Sequence, residues 1–188
     1  MNATLFKKEI KSNWLLLVIF LAVLSVYGSM ITMMFNPEMG DSLKMMADSM
    51  PDLFAAFGMA DVGQTLLEFV SGYLYGMLYV AFPAVFIIIL SNRLAAKYVD
   101  NGSMAYLLAV PAKRWKIMMT QCIFMLVSLL VIVIYVTCLI LVVSEVLFPG
   151  EMETAAFIRI NVGLLGMLVF FGGACFCLSL IHISEPTR

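Results

Sequence analysis

The stretch Ile117-MMTQCIFMLVSLLVIVIYVTCLILV-Val143 decides the fold of this chain. It contains no Asp, Glu, Lys or Arg from one end to the other. About 20 apolar residues in a helix cross the roughly 30 Å hydrocarbon core of a bilayer, so this run is long enough to cross at a tilt or to project beyond the lipid. A barrel strand alternates polar and apolar residues, and this run does not. With no water in lipid to satisfy N–H and C=O groups, a run of this kind must satisfy them internally, as a helix.

Three more runs meet the same test: 14–35, about 69–90, and a fourth from about 160 to at least 177. The composition agrees, with 63% hydrophobic and 12% charged residues and a mean hydropathy of +1.04. A soluble domain has about 45–50% apolar and about 25% charged residues. The expected fold is therefore all-α, a polytopic transmembrane helix bundle. The first run is longer than a signal-peptide core and lacks a small-x-small cleavage site, so it reads as a retained span. The net charge of −1 says nothing of partners, and nothing in the chain points to nucleic acid. Only the placement of charge informs.

Lys7, Lys8 and Lys11 precede the first run, and Arg93, Lys97, Lys113, Arg114 and Lys116 lie between the second and third. The other side carries Glu38, Asp41, Asp48, Asp52, Asp61, Glu68, Glu145, Glu151 and Glu153 against only Lys44 and Arg159. Basic loops stay in the cytoplasm, so the N-terminus and the 91–116 loop are expected there. Residues 2–13 read either as a short amphipathic helix in the headgroup layer, with Leu5 and Ile10 apolar, or as an ordinary basic flank. In the acidic loop, Pro51 and Gly58 bracket a short helix over Asp52–Phe57, expected to pack on the membrane surface or cap the bundle.

Several classes of chemistry lack their residues. There is no GxxxxGK[ST] phosphate loop, no HExxH, and no Ser/His/Asp set, and no residue is assigned a catalytic or metal-binding role. The spans hold no ionisable residue deep inside, as proton- or ion-coupled carriers generally do. Any driving force is then expected from outside the bilayer. Cys122, Cys138, Cys175 and Cys177 lie in apolar runs and read as packing residues. Gly72 and Gly76 form a GxxxG pattern that allows close helix approach, and Pro83 is expected to kink the second span.

The tail Leu178-SLIHISEPT-Arg188 matches the conceptual translation of a transposase-based sequencing adapter. On that reading 178–188 is an artefact, its His182 has no role, and the natural chain is longer than 177 residues.

The loop between the second and third runs carries the most specific pattern. Ser103 is a helix N-cap candidate after Gly102, Met104, Leu107 and Leu108 share one helical face, and Pro111 stops the helix before Lys113 and Arg114. Such a helix either lies in the membrane interface or docks in a groove of a cytoplasmic protein, and the residues leave both open.

The order Asp100-x-Gly102-Ser103-x-x-x-Leu107-Leu108-x-x-Pro111-x-x-Arg114 resembles the first cytoplasmic loop of ABC type-2 transporter permeases. The basic N-terminal elbow and the Pro149-Gly150-Glu151 turn before the fourth run fit the same family, although Lys97 stands where it often has an acidic residue. The resemblance implies a permease subunit with six spans, four of them in this chain, in a bacterial cytoplasmic membrane. It also implies a second permease subunit and a separate cytoplasmic ABC ATPase, which binds the ATP and Mg. Residues 103–110 would be a coupling helix, with Met104, Leu107 and Leu108 in a groove, Gly102 and Pro111 at its ends, and Asp100 and Arg114 orienting it. Transport, most simply export, would follow. The alternative is a membrane-anchored interaction or assembly protein that transports nothing.

Overall fold

The computed structural model describes residues 3–36, 45–46, 48–56, 65–100 and 114–184, and these are helical apart from short connections. Helix α1 spans Ala3–Met34, α2 Pro51–Ala56 and α3 Leu66–Val70. A π-helical segment, Ser71–Leu78, joins α3 to α4, Tyr79–Asp100. Helices α5, Arg114–Leu147, and α6, Thr154–Ser184, complete the chain. Among the described residues, four helical stretches are long and apolar enough to cross a membrane: Ala3–Met34, Leu66–Leu94, Lys116–Leu147 and Thr154–Ser179. The second is the most enclosed and the first the least. The fold is the expected all-α polytopic bundle.

Each span is longer than its apolar run, for local reasons. The second starts at Leu66 because Thr65 and Glu68 form a capping box. The Glu68 N–H donates to Thr65 Oγ1 at 3.2 Å, and the Thr65 N–H donates to a Glu68 carboxylate oxygen at 3.3 Å. Glu68 thus belongs to the helix as the partner of its own N-cap, satisfying donors that have no helical acceptor. Between α5 and α6 the turn falls at Pro149-Gly150-Glu151, where Gly150 has φ +80°, a conformation that favours glycine.

Residues 3–13 are the opening turns of α1, with no break before the first span. The buried positions of α1 are Leu5, Glu9, Asn13, Leu24, Gly28 and Thr32, one stripe at helical spacing. Of the two apolar residues noted in 2–13, Leu5 packs in this stripe while Ile10 faces outward. Met30, Met33 and Met34 at the far end of α1 are exposed, as are Met45, Met46 and Met50. Leu53 of α2 is exposed as well.

Six Ser and Thr hydroxyls in the spans are satisfied within their own helices. Ser25, Ser29 and Thr32 donate to the carbonyls of Leu21, Ser25 and Gly28, and Thr120, Ser128 and Thr137 to those of Lys116, Phe124 and Val133. The i−4 carbonyl is the acceptor in every case, which is how such residues are tolerated in lipid.

The chain divides into two compact units. One consists of Met1–Phe20, Pro83–Ile132 and Leu165–Arg188. Its core includes Phe86, Ile87, Leu90, Leu94, Met125, Leu129 and Leu168. Phe6 meets Phe124 edge-on at 5.7 Å, and Phe20 meets Phe86 at 5.4 Å. At Gly172 of α6 an added Cβ would lie 3.3 Å from Leu129 and 3.4 Å from Met125, so glycine lets the helices approach closely there. The other unit consists of Leu21–Phe82 and Val133–Leu164 and is built on aromatic contacts. Phe35 packs between Phe69 at 5.5 Å and Phe148 at 5.2 Å, while Tyr75 contacts Tyr79 at 5.4 Å and Phe157 at 6.2 Å.

Candidate functional site: the helical hairpin that carries the basic loop

Helices α4 and α5 flank the segment from Asn101 to Lys113. Gln121 Nε2 of α5 donates to the Leu94 carbonyl of α4 at 2.7 Å, and Gln121 is buried. One turn further from the loop, Ser91 Oγ donates to Met125 sulfur at 3.7 Å. The contacts retreat along one helix as they advance along the other, so the pair is antiparallel and pinned by side chains near the loop. A buried amide in an apolar setting must find a partner. Gln121 finds one on the neighbouring helix, which ties α5 to α4 near these ends.

Asp100 is the last residue of α4 and Arg114 the first of α5. Gly102, Ser103, Met104, Leu107, Leu108 and Pro111 lie outside the described residues, as does the whole 103–110 helix expected from the sequence.

Gly72 and Gly76 both fall in the π-helical segment, Gly72 half-buried and Gly76 exposed. Pro83 is buried inside α4. Its ring would strike the carbonyl of Tyr79, four residues back, in a regular helix. The backbone answers just upstream. Tyr79 has ψ −4°, far from the roughly −42° of a regular helix, and its N–H donates to Leu74, five residues back. The distortion expected at Pro83 thus takes the form of a widened turn before it.

Sequence reasoning missed two polar features of the spans. Tyr75 Oη donates to Asn161 Oδ1 at 2.8 Å, joining the π-helical segment to α6, while Asn161 Nδ2 donates to the Phe157 carbonyl at 2.9 Å. Tyr135 and Ser25 share a hydrogen bond of 2.8 Å. A lone Asn or Tyr in a span gives no sign of its partner until helices are placed beside one another. Of the cysteines, Cys138 and Cys177 are exposed and Cys122 and Cys175 half-buried, all as free thiols. The first two therefore face outward rather than pack between helices. Among the described residues no cluster of His, Cys, Asp and Glu could hold a metal.

Among the described residues, four long apolar helices and a pinned hairpin define an integral membrane protein of the polytopic helical class. The sequence profile of a family described as ABC-2 family transporter protein matches residues 5–186. The chain belongs to that family, and is a membrane subunit of the ABC transporter type. No curated protein and no solved structure matches the chain.

Proposed function

We propose that this chain is the permease subunit of an ATP-driven exporter, which receives the motion of a separate cytoplasmic ATPase through the loop between α4 and α5. The observation that carries the reading is the α4–α5 hairpin, pinned by Gln121 and Leu94, in a chain of the ABC-2 family. A hairpin held near its tip transmits a push on that tip along two helices, whereas a loose pair would absorb it. The basic residues Arg93, Lys97, Lys113, Arg114 and Lys116 cluster at this end, which supports a cytoplasmic location for it and for the lysines of α1. ATP and Mg are bound by the partner, since the phosphate-loop pattern is missing from this sequence. A second permease subunit completes the path, in the bacterial cytoplasmic membrane. Met104, Leu107 and Leu108 form the docking face, Gly102, Ser103 and Pro111 set its ends, and Asp100 and Arg114 orient it.

The test is co-purification of the ATPase with Leu107→Asp and Leu108→Asp in detergent. Burying a carboxylate in an apolar groove is strongly unfavourable. Each substitution is expected to cut ATPase recovery at least about tenfold, equivalent to about 1.4 kcal/mol, with membrane insertion unchanged. Full recovery with both variants would refute the coupling role.

A further inference from the structure

A cleft of about 200 Å³ opens among α1, α4 and α5, within the first of the two units. Phe86, Leu90 and Phe124 are buried and form its floor, while Ile10, Trp14 and Val127 are exposed and form its rim. The cleft is therefore open along one side to whatever surrounds the helices. On α1 its lining runs from Ile10 to Leu17, about 10 Å of helix rise, so the hollow is elongated along the span. Its wall is almost wholly apolar. Asn13 and Ser128 turn their donors to their own helices, Asn13 Nδ2 to the Glu9 carbonyl at 3.1 Å and Ser128 Oγ to the Phe124 carbonyl at 2.9 Å. The Asn13 side-chain oxygen is buried and sealed off. A polar occupant would find no partner here, which is costly. A hydrocarbon chain needs none.

Trp14 sets the depth of the cleft. From Trp14 to Met34, α1 rises about 30 Å, the thickness of the hydrocarbon core. Trp14 is exposed, as an indole at the lipid–water border should be. The rim at Ile10 and Trp14 thus lies at headgroup depth, and the hollow runs inward from it among acyl chains. Lys7 precedes Ile10 by three residues, and Lys11 precedes Trp14 by three. Each lysine is then a surface neighbour of a rim residue, about 5–6 Å away between Cβ atoms. Both lysines are exposed, and their long stems carry the ammonium groups out to the headgroup layer. Glu9, the acidic residue of this stretch, is 2% exposed and receives the Asn13 amide at 3.2 Å, so it is withheld from the rim. The mouth of the cleft therefore presents positive charge at the level of lipid phosphates, above an apolar hollow. A phospholipid has the complementary parts in the same order.

We propose that this cleft binds one phospholipid of net negative charge, with a stretch of acyl chain in the hollow and the headgroup against Lys7 and Lys11. A zwitterionic lipid brings its own cation to the lysines and is held less well. The site does not depend on the transport reading, because binding needs neither the ATPase nor ATP.

The experiment places the full chain in phosphatidylcholine nanodiscs with Trp115→Phe, leaving Trp14 as the only indole. A rising fraction of the lipid is replaced by phosphatidylglycerol, or by phosphatidylcholine, with bromines near the carboxyl end of one acyl chain. Trp14 emission then reports lipid at the rim. The expected result is quenching by the anionic lipid that saturates at a mole fraction about tenfold below that needed by the zwitterionic one. Lys7→Gln combined with Lys11→Gln should bring the two lipids together, with Lys8 kept as the flank's positive charge. In the parent protein, about 1 M salt should do the same. Val127→Phe fills the cleft and leaves the lysines in place, so it should abolish the early saturation. Leu17→Phe serves the same purpose where Val127→Phe fails to insert. Equal quenching by the two lipids in the parent protein would overturn the proposal, as would an anionic preference that high salt leaves intact. An undiminished preference in the filled variants would also overturn it, since the lysines would then be gathering anionic lipid without the cleft.

Discussion

Gly28 of α1 sits where a side chain has no room. A Cβ added there would collide with the Tyr79 hydroxyl, and Tyr79 is 1% exposed, so its ring cannot swing clear. That hydroxyl donates only a long 3.5 Å bond to the Leu24 carbonyl. The glycine is needed for space rather than for an unusual backbone angle. Gly28→Ala should therefore cost about 1–3 kcal/mol of stability through overpacking, read as a lower unfolding midpoint in detergent. Tyr79→Phe removes the obstructing oxygen, so adding it to Gly28→Ala should recover most of the loss. Simple addition of the two losses would show that the contact is not what excludes a side chain.

At the level of elements, Gln121 ties α5 to α4 through the shorter of two hydrogen bonds described between them. Interhelical hydrogen bonds in membranes contribute about 0.6 kcal/mol on average and up to about 1.7. Gln121→Leu should lower stability by an amount in that range, measured by unfolding in mixed micelles. If the hairpin transmits motion, the same variant should keep its ATPase bound while transport per ATP hydrolysed falls. Unchanged coupling would mean that Gln121 serves packing alone. The elements themselves were largely legible in the sequence. The run Ile117–Val143, the turn at Gly150 and the short helix begun by Pro51 all stand where spacing and composition put them. The π-helical segment was not legible. Pro83 announces a distortion, but whether the helix bends or widens depends on what packs around it, and no local rule supplies that.

For the whole molecule, the orientation expected from the basic residues has a direct test. In a cysteine-free background, Ser49→Cys should react with a membrane-impermeant maleimide in intact cells, and Lys11→Cys only after permeabilisation. The reverse pattern would invert the topology. What the sequence concealed at this scale was the inward face of α1. Its buried stripe contains Glu9, Asn13, Gly28 and Thr32, while Trp14, Val18, Val26 and Met30 look outward. In water an apolar stripe marks the core, but lipid is as apolar as leucine and removes that signal. The stripe is recovered only by following the helical phase backward from Leu24 and Gly28 through Asn13 to Leu5.

The methionines exposed near the end of α1 opposite its lysines, Met30, Met33 and Met34, carry a chemical liability that packing does not express. A thioether is apolar and pliant, and it becomes a polar sulfoxide on oxidation. An oxidant reaching that end would give the helix a water-loving rim with no change in its sequence. A sulfoxide reductase could reverse it, so this end of the chain has a repairable chemical age as well as a shape.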